Sequence, residues 1–289
     1  MSYSIKNLLM YSIRTVVYNS KFVVLLWAVN AVFALVVSVP IFNFIYGSIG
    51  QSVISDHLSV QFDYFWFLQF RHLYNIHLDQ MHLTIYSIVV IYTLLQTFLL
   101  GGLVAVFHQP KKNHFVDFFY GGVRYFYRFV KIVLISVMFY LIAFKLNDYL
   151  GDFITWIFKD SENVMGDFIL RSLRYILLIF FIGVITMISD YSKVALAVGD
   201  KTKVFREVYT AIIFIKNNFN KVFVVFLLVA CLGALGGVIY NIIVYFIPRT
   251  PYYVLIISFI IQQMLIICRL LIRMLFYATE VSLFKDLSA

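Results

Sequence analysis

The chain has 289 residues, 63% of them hydrophobic and only 13% charged, with a formal net charge of +9. Soluble domains run about 45–50% apolar and about 25% charged, so no soluble fold of this size hides so much apolar surface, and lipid must be the solvent for much of it. Disorder, a disulfide scaffold and a secreted enzyme are excluded at this step; Cys231 and Cys268 lie in apolar stretches and read as small buried hydrophobes.

In chain order, Tyr3–Lys21 predicts an amphipathic helix with Ile5, Leu8, Leu9 and Val16 opposite Asn7 and Arg14. A first span follows at 22–46. Its apolar run is too long for a cleaved signal peptide, and no small-x-small site follows it. Pro40 is expected to kink its outer end. An outer loop then carries His57, His72, His77 and His82, with Asp63, Asp79 and the aromatic run Phe65-Trp66-Phe67. The second span is 83–107. Phe115–Lys131 predicts a second amphipathic helix, with Phe115, Phe118, Phe119, Phe126 and Phe129 opposite Asp117, Arg124 and Arg128. Spans three and four fall at 130–147 and 172–189. Phe205–Lys221 predicts the third amphipathic helix, with Phe205, Val208, Tyr209, Ile212 and Phe219 opposite Arg206, Glu207, Thr210 and Asn217. Spans five and six fall at 222–247 and 252–276, and Pro248 and Pro251 bracket the turn between them. Each span is long enough to cross about 30 Å of hydrocarbon as a helix.

The expected fold is therefore all-α: a polytopic integral membrane protein with six transmembrane helices plus three cytoplasmic-side amphipathic interfacial helices, forming a single membrane domain over 1–289. Each amphipathic segment ends in a lysine at the membrane edge, Lys21, Lys131 or Lys221. That spacing divides the chain into three pseudo-repeat units, 1–107, 111–198 and 202–289, each an interfacial helix followed by a two-span hairpin.

Orientation follows from where the cations fall. Arg71, Lys145, Lys159, Arg171, Arg174 and Arg249 fall on one side, and every other Lys and Arg falls on the side of the two termini. The positive-inside rule puts both termini and the two basic loops in the cytoplasm, as a multi-pass protein of a cell inner membrane. The net positive charge is then mostly this bias, and nucleic acid is not an expected partner.

A run Asp190-Tyr191-Ser192-Lys193, followed by Val194–Val198, Gly199 and a helix from Val204, comes after span four. After span two the chain reads Phe118-Phe119-Tyr120-Gly121-Gly122-Val123-Arg124-Tyr125-Phe126. In these features the chain resembles the polytopic membrane domain that precedes some bacterial glycerophosphodiester phosphodiesterases, and its stand-alone relatives. The resemblance implies a bacterial membrane protein. Nothing after the sixth span is expected to build the catalytic barrel of those enzymes, so no hydrolase activity is carried over.

Motifs for chemistry are scarce. The sequence holds no G-x-x-x-x-G-K-[ST], G-x-G-x-x-G, H-E-x-x-H, C-x-x-C or G-x-S-x-G. Every Asp and Glu is expected in a loop or at a span end, which weighs against a proton- or ion-coupled carrier. The outer-loop histidines His57, His72, His77 and His82 are the only candidate metal ligands, but neighbours five apart point about 140° away from each other on a helix. No metal, cofactor or catalytic residue is therefore assigned. A lipid-facing charged cluster is expected from Arg124 and Arg128, from Asp190 and Lys193 one turn apart, and from Arg269 and Arg273, also one turn apart. The G-x-x-x-G from Gly233 to Gly237 is read as helix packing. Asn30, Gln96, Asn241, Gln262 and Gln263 are polar groups within spans, read as interhelical hydrogen-bonding groups.

The leading functional expectation is a non-enzymatic scaffold or accessory subunit that organises lipid or other membrane-protein subunits at the inner membrane. The alternative is a transporter or channel for a hydrophobic or lipid-like substrate. A polar cavity or lateral groove past Asn30, Gln96 and Asn241 would favour that alternative. An intramembrane enzyme or metal site built on the outer histidines stands third.

Overall fold

The structure is a computed structural model describing residues 4–49, 63–109, 114–159, 163–247 and 253–288. Among these residues the regular structure is entirely helical. The helices are α1 (Ile5–Tyr18), α2 (Lys21–Ile49), α3 (Tyr64–Leu73), α4 (Asn75–His108), α5 (Phe115–Ile157), α6 (Val164–Val198), α7 (Val204–Asn217), α8 (Phe219–Tyr245) and α9 (Tyr253–Ser288). Six contain stretches long and apolar enough to cross a membrane: 21–47, 84–108, 115–157, 164–198, 219–245 and 256–288. Each expected span lies on one of these six helices, and none overruns its helix by more than two residues. The protein is an all-α, multi-pass membrane protein. Its surface agrees: on α2, Val24, Leu35 and Phe42 are each about two-thirds exposed, which only a lipid surround makes inexpensive. Cys231, expected to be buried, is exposed on α8, and Cys268 is half-buried; a thiol on an apolar helix faces lipid as readily as a core.

The second expected interfacial helix is not a separate element. Phe115–Lys131 forms the first turns of α5, which runs 43 residues without a break, about 65 Å at 1.5 Å per residue. The other two amphipathic segments do end, and each ends at asparagine. Beyond α1 the chain turns at Asn19 and Ser20, where Phe22 N–H donates to Asn19 O over 3.1 Å. Beyond α7 it turns at Asn218, whose Nδ2 donates to Phe214 O over 3.1 Å. A short amide side chain that competes for backbone partners breaks a helix. The corresponding stretch Arg128-Phe129-Val130 has no such residue. Gly121 and Gly122 do not break the helix either. A Cβ on Gly101 would stand 3.3 Å from Gly121 O and 3.4 Å from Gly122 Cα, so α4 and α5 cross at backbone contact, and glycine is what lets them.

The faces differ from the helical-wheel expectation in the same way. Phe118 and Phe129 are fully buried, with Tyr125, Gly121 and Gly122, whereas Val116, Tyr120, Val123 and Tyr127 are 65–78% exposed. Of the five phenylalanines of the expected apolar face, Phe118 and Phe129 therefore pack on protein, Phe126 is half-buried, and Phe115 and Phe119 are exposed. On α7 the buried face is Val204, Glu207, Val208, Ala211 and Ile215; of the expected apolar stripe only Val208 is buried, and Phe205, Tyr209, Ile212 and Phe219 face outward. Glu207, placed on the polar face by the wheel, is 1% exposed and sits 3.2 Å from Lys201 Nζ.

The chain divides into two compact units, one comprising Met1–Val16, Thr97–Val229 and Met274–Ala289 and the other Val17–Gln96 and Ala230–Arg273. In the first, α5 packs along α6 and α6 against α7, around Phe118, Phe129, Ile132, Met187, Tyr191 and Leu196, all 0–2% exposed. Tyr140 and Thr186 join α5 to α6 through their hydroxyls at 2.9 Å. In the second, Trp27 Nε1 donates to Gln263 Oε1 at 2.9 Å, and Phe44, Phe70 and Tyr74 stack edge to face around 5.5 Å. Gly233 and Gly236 of α8 face α9, where added Cβ atoms would lie 3.3 Å from Ile272 Cγ2 and from Cys268 Sγ; Gly237 meets nothing. The packing pair is thus spaced by three, not by the four of G-x-x-x-G.

Candidate functional site

The second unit contains a cleft of about 670 Å³ that opens to the surface. Three helices line it with residues at helical spacing: Asn30, Phe33, Ala34, Val37 and Ser38 from α2; Ile88, Val89 and Tyr92 from α4; and Ile266, Arg269, Leu270 and Arg273 from α9. Its size is that of small-ligand sites, about 300–1,000 Å³. Its lining is apolar apart from two guanidinium groups and a few neutral polar groups, with no carboxylate among these residues.

A chain of hydrogen bonds ties three of the lining residues together through Gln96. Arg273 Nη1 donates to Gln96 Oε1 at 2.7 Å. Gln96 Nε2 donates to Asn30 Oδ1 at 3.0 Å, and Tyr92 Oη donates to the same oxygen at 2.7 Å. Polar groups within spans were expected to bond between helices, and Asn30, Gln96 and Gln263 do so. Arg269 sits one turn before Arg273 and is exposed. Asn241 is exposed on α8 and does not line the cleft.

The remaining charged residues gather in the first unit. Lys193 Nζ donates to Asp190 Oδ1 at 2.9 Å, with the two side chains only 9% and 13% exposed. Glu280 of α9, not foreseen from the sequence, is 4% exposed, lies within electrostatic reach of both, and leaves Oε2 without a hydrogen-bond partner among the described residues. Asp190 and Lys193 thus gather with Glu280, and Arg269 gathers with Arg273.

Arg124 and Arg128, expected to meet lipid head groups, converge on Asp200. Arg124 Nη2 bonds Asp200 Oδ2. Arg128 Nη1 lies 3.3 Å from Asp200 Oδ1 and donates to Lys201 O at 3.1 Å. The hydrogen bond from Arg124 holds the Asp200 carboxyl below its ordinary value. Asp200 itself has φ 46°, and Lys201 N–H reaches back to Leu196 O at 3.2 Å, the closure that ends a helix through a left-handed residue. Gly199, the residue type suited to that position, keeps φ −84°, and Asp200 turns the corner so that its carboxylate meets both arginines.

Of the histidine candidates, His57 lies outside the described residues, as do the side chains of His77 and His82, and His72 is exposed. Asp63, weighed beside them, caps α3: its Oδ1 accepts from Phe65 N–H at 2.9 Å and Trp66 N–H at 3.1 Å. Among the described residues no three His, Cys, Asp or Glu side chains gather as metal ligands.

Fold and site together define the class, an all-α multi-pass membrane protein with an arginine-lined cleft. Comparison with known protein families, with characterised proteins and with solved structures finds no match to the chain.

Proposed function

We propose that the protein is a non-enzymatic carrier of a lipid-like amphiphile, working through the cleft of its second compact unit. The observation that carries this reading is the cleft itself: an open, mostly apolar cavity whose polar groups are Asn30, Ser38, Tyr92, Arg269 and Arg273. The sequence alone favoured a scaffold; a groove past Asn30 is the feature that shifts the weight to transport. An apolar wall suits an acyl chain, and ionisable residues inside a span mark a substrate path by default. The host we infer is a bacterial inner membrane, on the resemblance carried by the Asp190–Val198 and Phe118–Phe126 runs, with both termini in the cytoplasm on the strength of the Lys and Arg distribution.

Reconstitution tests this. Protein in sealed liposomes carrying a fluorescent lipid should raise the fraction of probe reached by an impermeant quencher above that in empty liposomes. An unchanged fraction sinks the carrier reading. A second reading, a scaffold that organises lipid at the inner face, is favoured by the outward-facing Phe205 and Tyr209 of α7; it expects vesicle binding by the protein with no lipid movement.

A further inference from the structure

We propose that Glu280 of α9 is a proton-binding site, exchanging one proton against the fixed charges of Asp190 and Lys193 on α6. Glu280 falls beyond the sixth expected span at 252–276, yet it lies inside α9 and is 4% exposed. Its Oε2 has no hydrogen-bond partner among the described residues. Asp190 and Lys193 stand within electrostatic reach of it, and their own bond closes at 2.9 Å. All three residues belong to the first compact unit. Acids buried in helices of this kind mark proton relays.

One ammonium and one carboxylate make a neutral pair. A second carboxylate would add a buried negative charge with no cation of its own, which is costly. Two carboxyl groups sharing one site do not both ionise readily, and one of them takes a proton. Asp190 keeps its charge, because it accepts the bond from Lys193; Glu280 takes the proton. The step balances as carboxylate plus one proton from solvent giving the neutral acid, with no other group changing charge. Tyr191 of α6 lies within reach of Glu280, and Tyr277 of α9 within reach of Lys193; both are phenols, neutral at physiological pH, and leave the count unchanged. The other buried charges of the unit have partners: Glu207 of α7 sits 3.2 Å from Lys201 Nζ, and Lys285 of α9 donates to His108 O of α4 at 2.6 Å. Exchange needs a route, and the Asp190 side chain, 13% exposed, brings the cluster to the surface of the unit while Glu280 stays inside. Each proton that arrives or leaves therefore changes the charge between α6 and α9 from within.

The test is infrared spectroscopy of the full chain in detergent, titrated from pH 5 to pH 9, with proton uptake counted by an indicator dye. The wild type should show the C=O band of a protonated carboxyl that shifts in heavy water and disappears reversibly as pH rises. Glu280→Gln copies the neutral acid in shape, so it should stay folded, lose the band and bind one proton fewer over the range. Glu207→Gln should keep the band. Asp190→Asn frees Lys193 for Glu280 and should move the midpoint to lower pH by about one unit or more. A band that survives Glu280→Gln places the proton on another group. A band that is constant from pH 5 to pH 9 makes Glu280 a permanently neutral packing group, and the absence of a band at every pH leaves it ionised. Each of these results overturns the proposal, as does a midpoint unmoved in folded Asp190→Asn. No arm of the experiment depends on lipid movement, so the carrier reading stands or falls separately.

Discussion

Lys193 donates to Asp190 over 2.9 Å inside the first compact unit, and the two side chains stand 9% and 13% exposed. Glu280 faces the same pair from α9 with Oε2 unsatisfied among the described residues. One ammonium therefore serves two carboxyl groups. Lys193→Met should cost about 3–5 kcal/mol, the usual penalty for breaking a buried pair from one side. Glu280→Gln should cost much less, because it removes the carboxyl with the poorer partners. The double variant should recover part of the Lys193→Met loss. Thermal unfolding in detergent of the three variants checks this, and a double variant no better than Lys193→Met alone would show that Glu280 does not couple to the pair.

The α4–α5 crossing predicts a contrast among glycines. A Cβ on Gly102 would stand 2.6 Å from Phe118 O, and one on Gly121 would collide with the Ala105 methyl, whereas Gly237 meets nothing within 4 Å. Gly102→Ala and Gly121→Ala should each destabilise the protein by about 1–3 kcal/mol through overpacking. Gly237→Ala should be neutral or stabilising by up to about 1 kcal/mol, from helix propensity alone. Melting temperatures of the three single variants decide it; a Gly121→Ala protein as stable as wild type would remove the backbone contact.

Asp200 combines a left-handed backbone with two arginine partners, and the two roles separate by substitution. Asp200→Asn keeps the tolerance for φ 46° and loses the ion pairs. Asp200→Val loses both and should be the least stable, since a β-branched residue is strained there. The pairs are solvent-exposed, so Asp200→Asn should cost at most about 1 kcal/mol. The pH dependence has a definite sign. A carboxyl held below its unfolded value of about 3.9 stabilises above that value and loses its contribution as pH falls through the lowered one. The stability gap between wild type and Asp200→Asn should stay constant from pH 8 to pH 5 and close only in stronger acid.

Spin labels along the start of α5 should report a protein-packed helix. Labels at 116, 120, 123 and 127 should be mobile and accessible to a lipid-soluble quencher, and labels at 118, 125 and 129 should be immobile, following the exposed and buried faces. The reverse pattern would restore an interfacial helix with its phenyl rings in the acyl region.

Orientation is checked by impermeant thiol labelling of sealed cells, after replacing Cys231 and Cys268. Cysteines at Val60, Asp160 and Thr250 should label from outside, and those at Ser4, Asn113 and Thr202 should not. Labelling at Asn113 would refute the orientation.

Composition and apolar run length by themselves determined the all-α class and the six spans. Backbone polar groups in hydrocarbon must be satisfied locally, so a long apolar run has only the helix available to it. Breaks were expected after all three amphipathic segments, at Lys21, Lys131 and Lys221; those after α1 and α7 are present, where Asn19 and Asn218 act on their own backbone neighbourhood, and the one at Lys131 is not. Which face of an amphipathic segment meets protein was not legible: a helical wheel reports that an apolar face exists, and Phe118 and Phe129 on one side and Val116 and Val123 on the other are both apolar. Tertiary packing chose between them, by bringing Gly101 and Gly102 against Gly121 and Gly122. It likewise set Glu280 beside Asp190 and Lys193, gave Asp200 to Arg124 and Arg128, and built the cleft from three helices far apart in the chain. Such pairings depend on how helices pack across the chain, and a one-dimensional pattern with a period of 3.6 carries no information about which distant turn stands opposite.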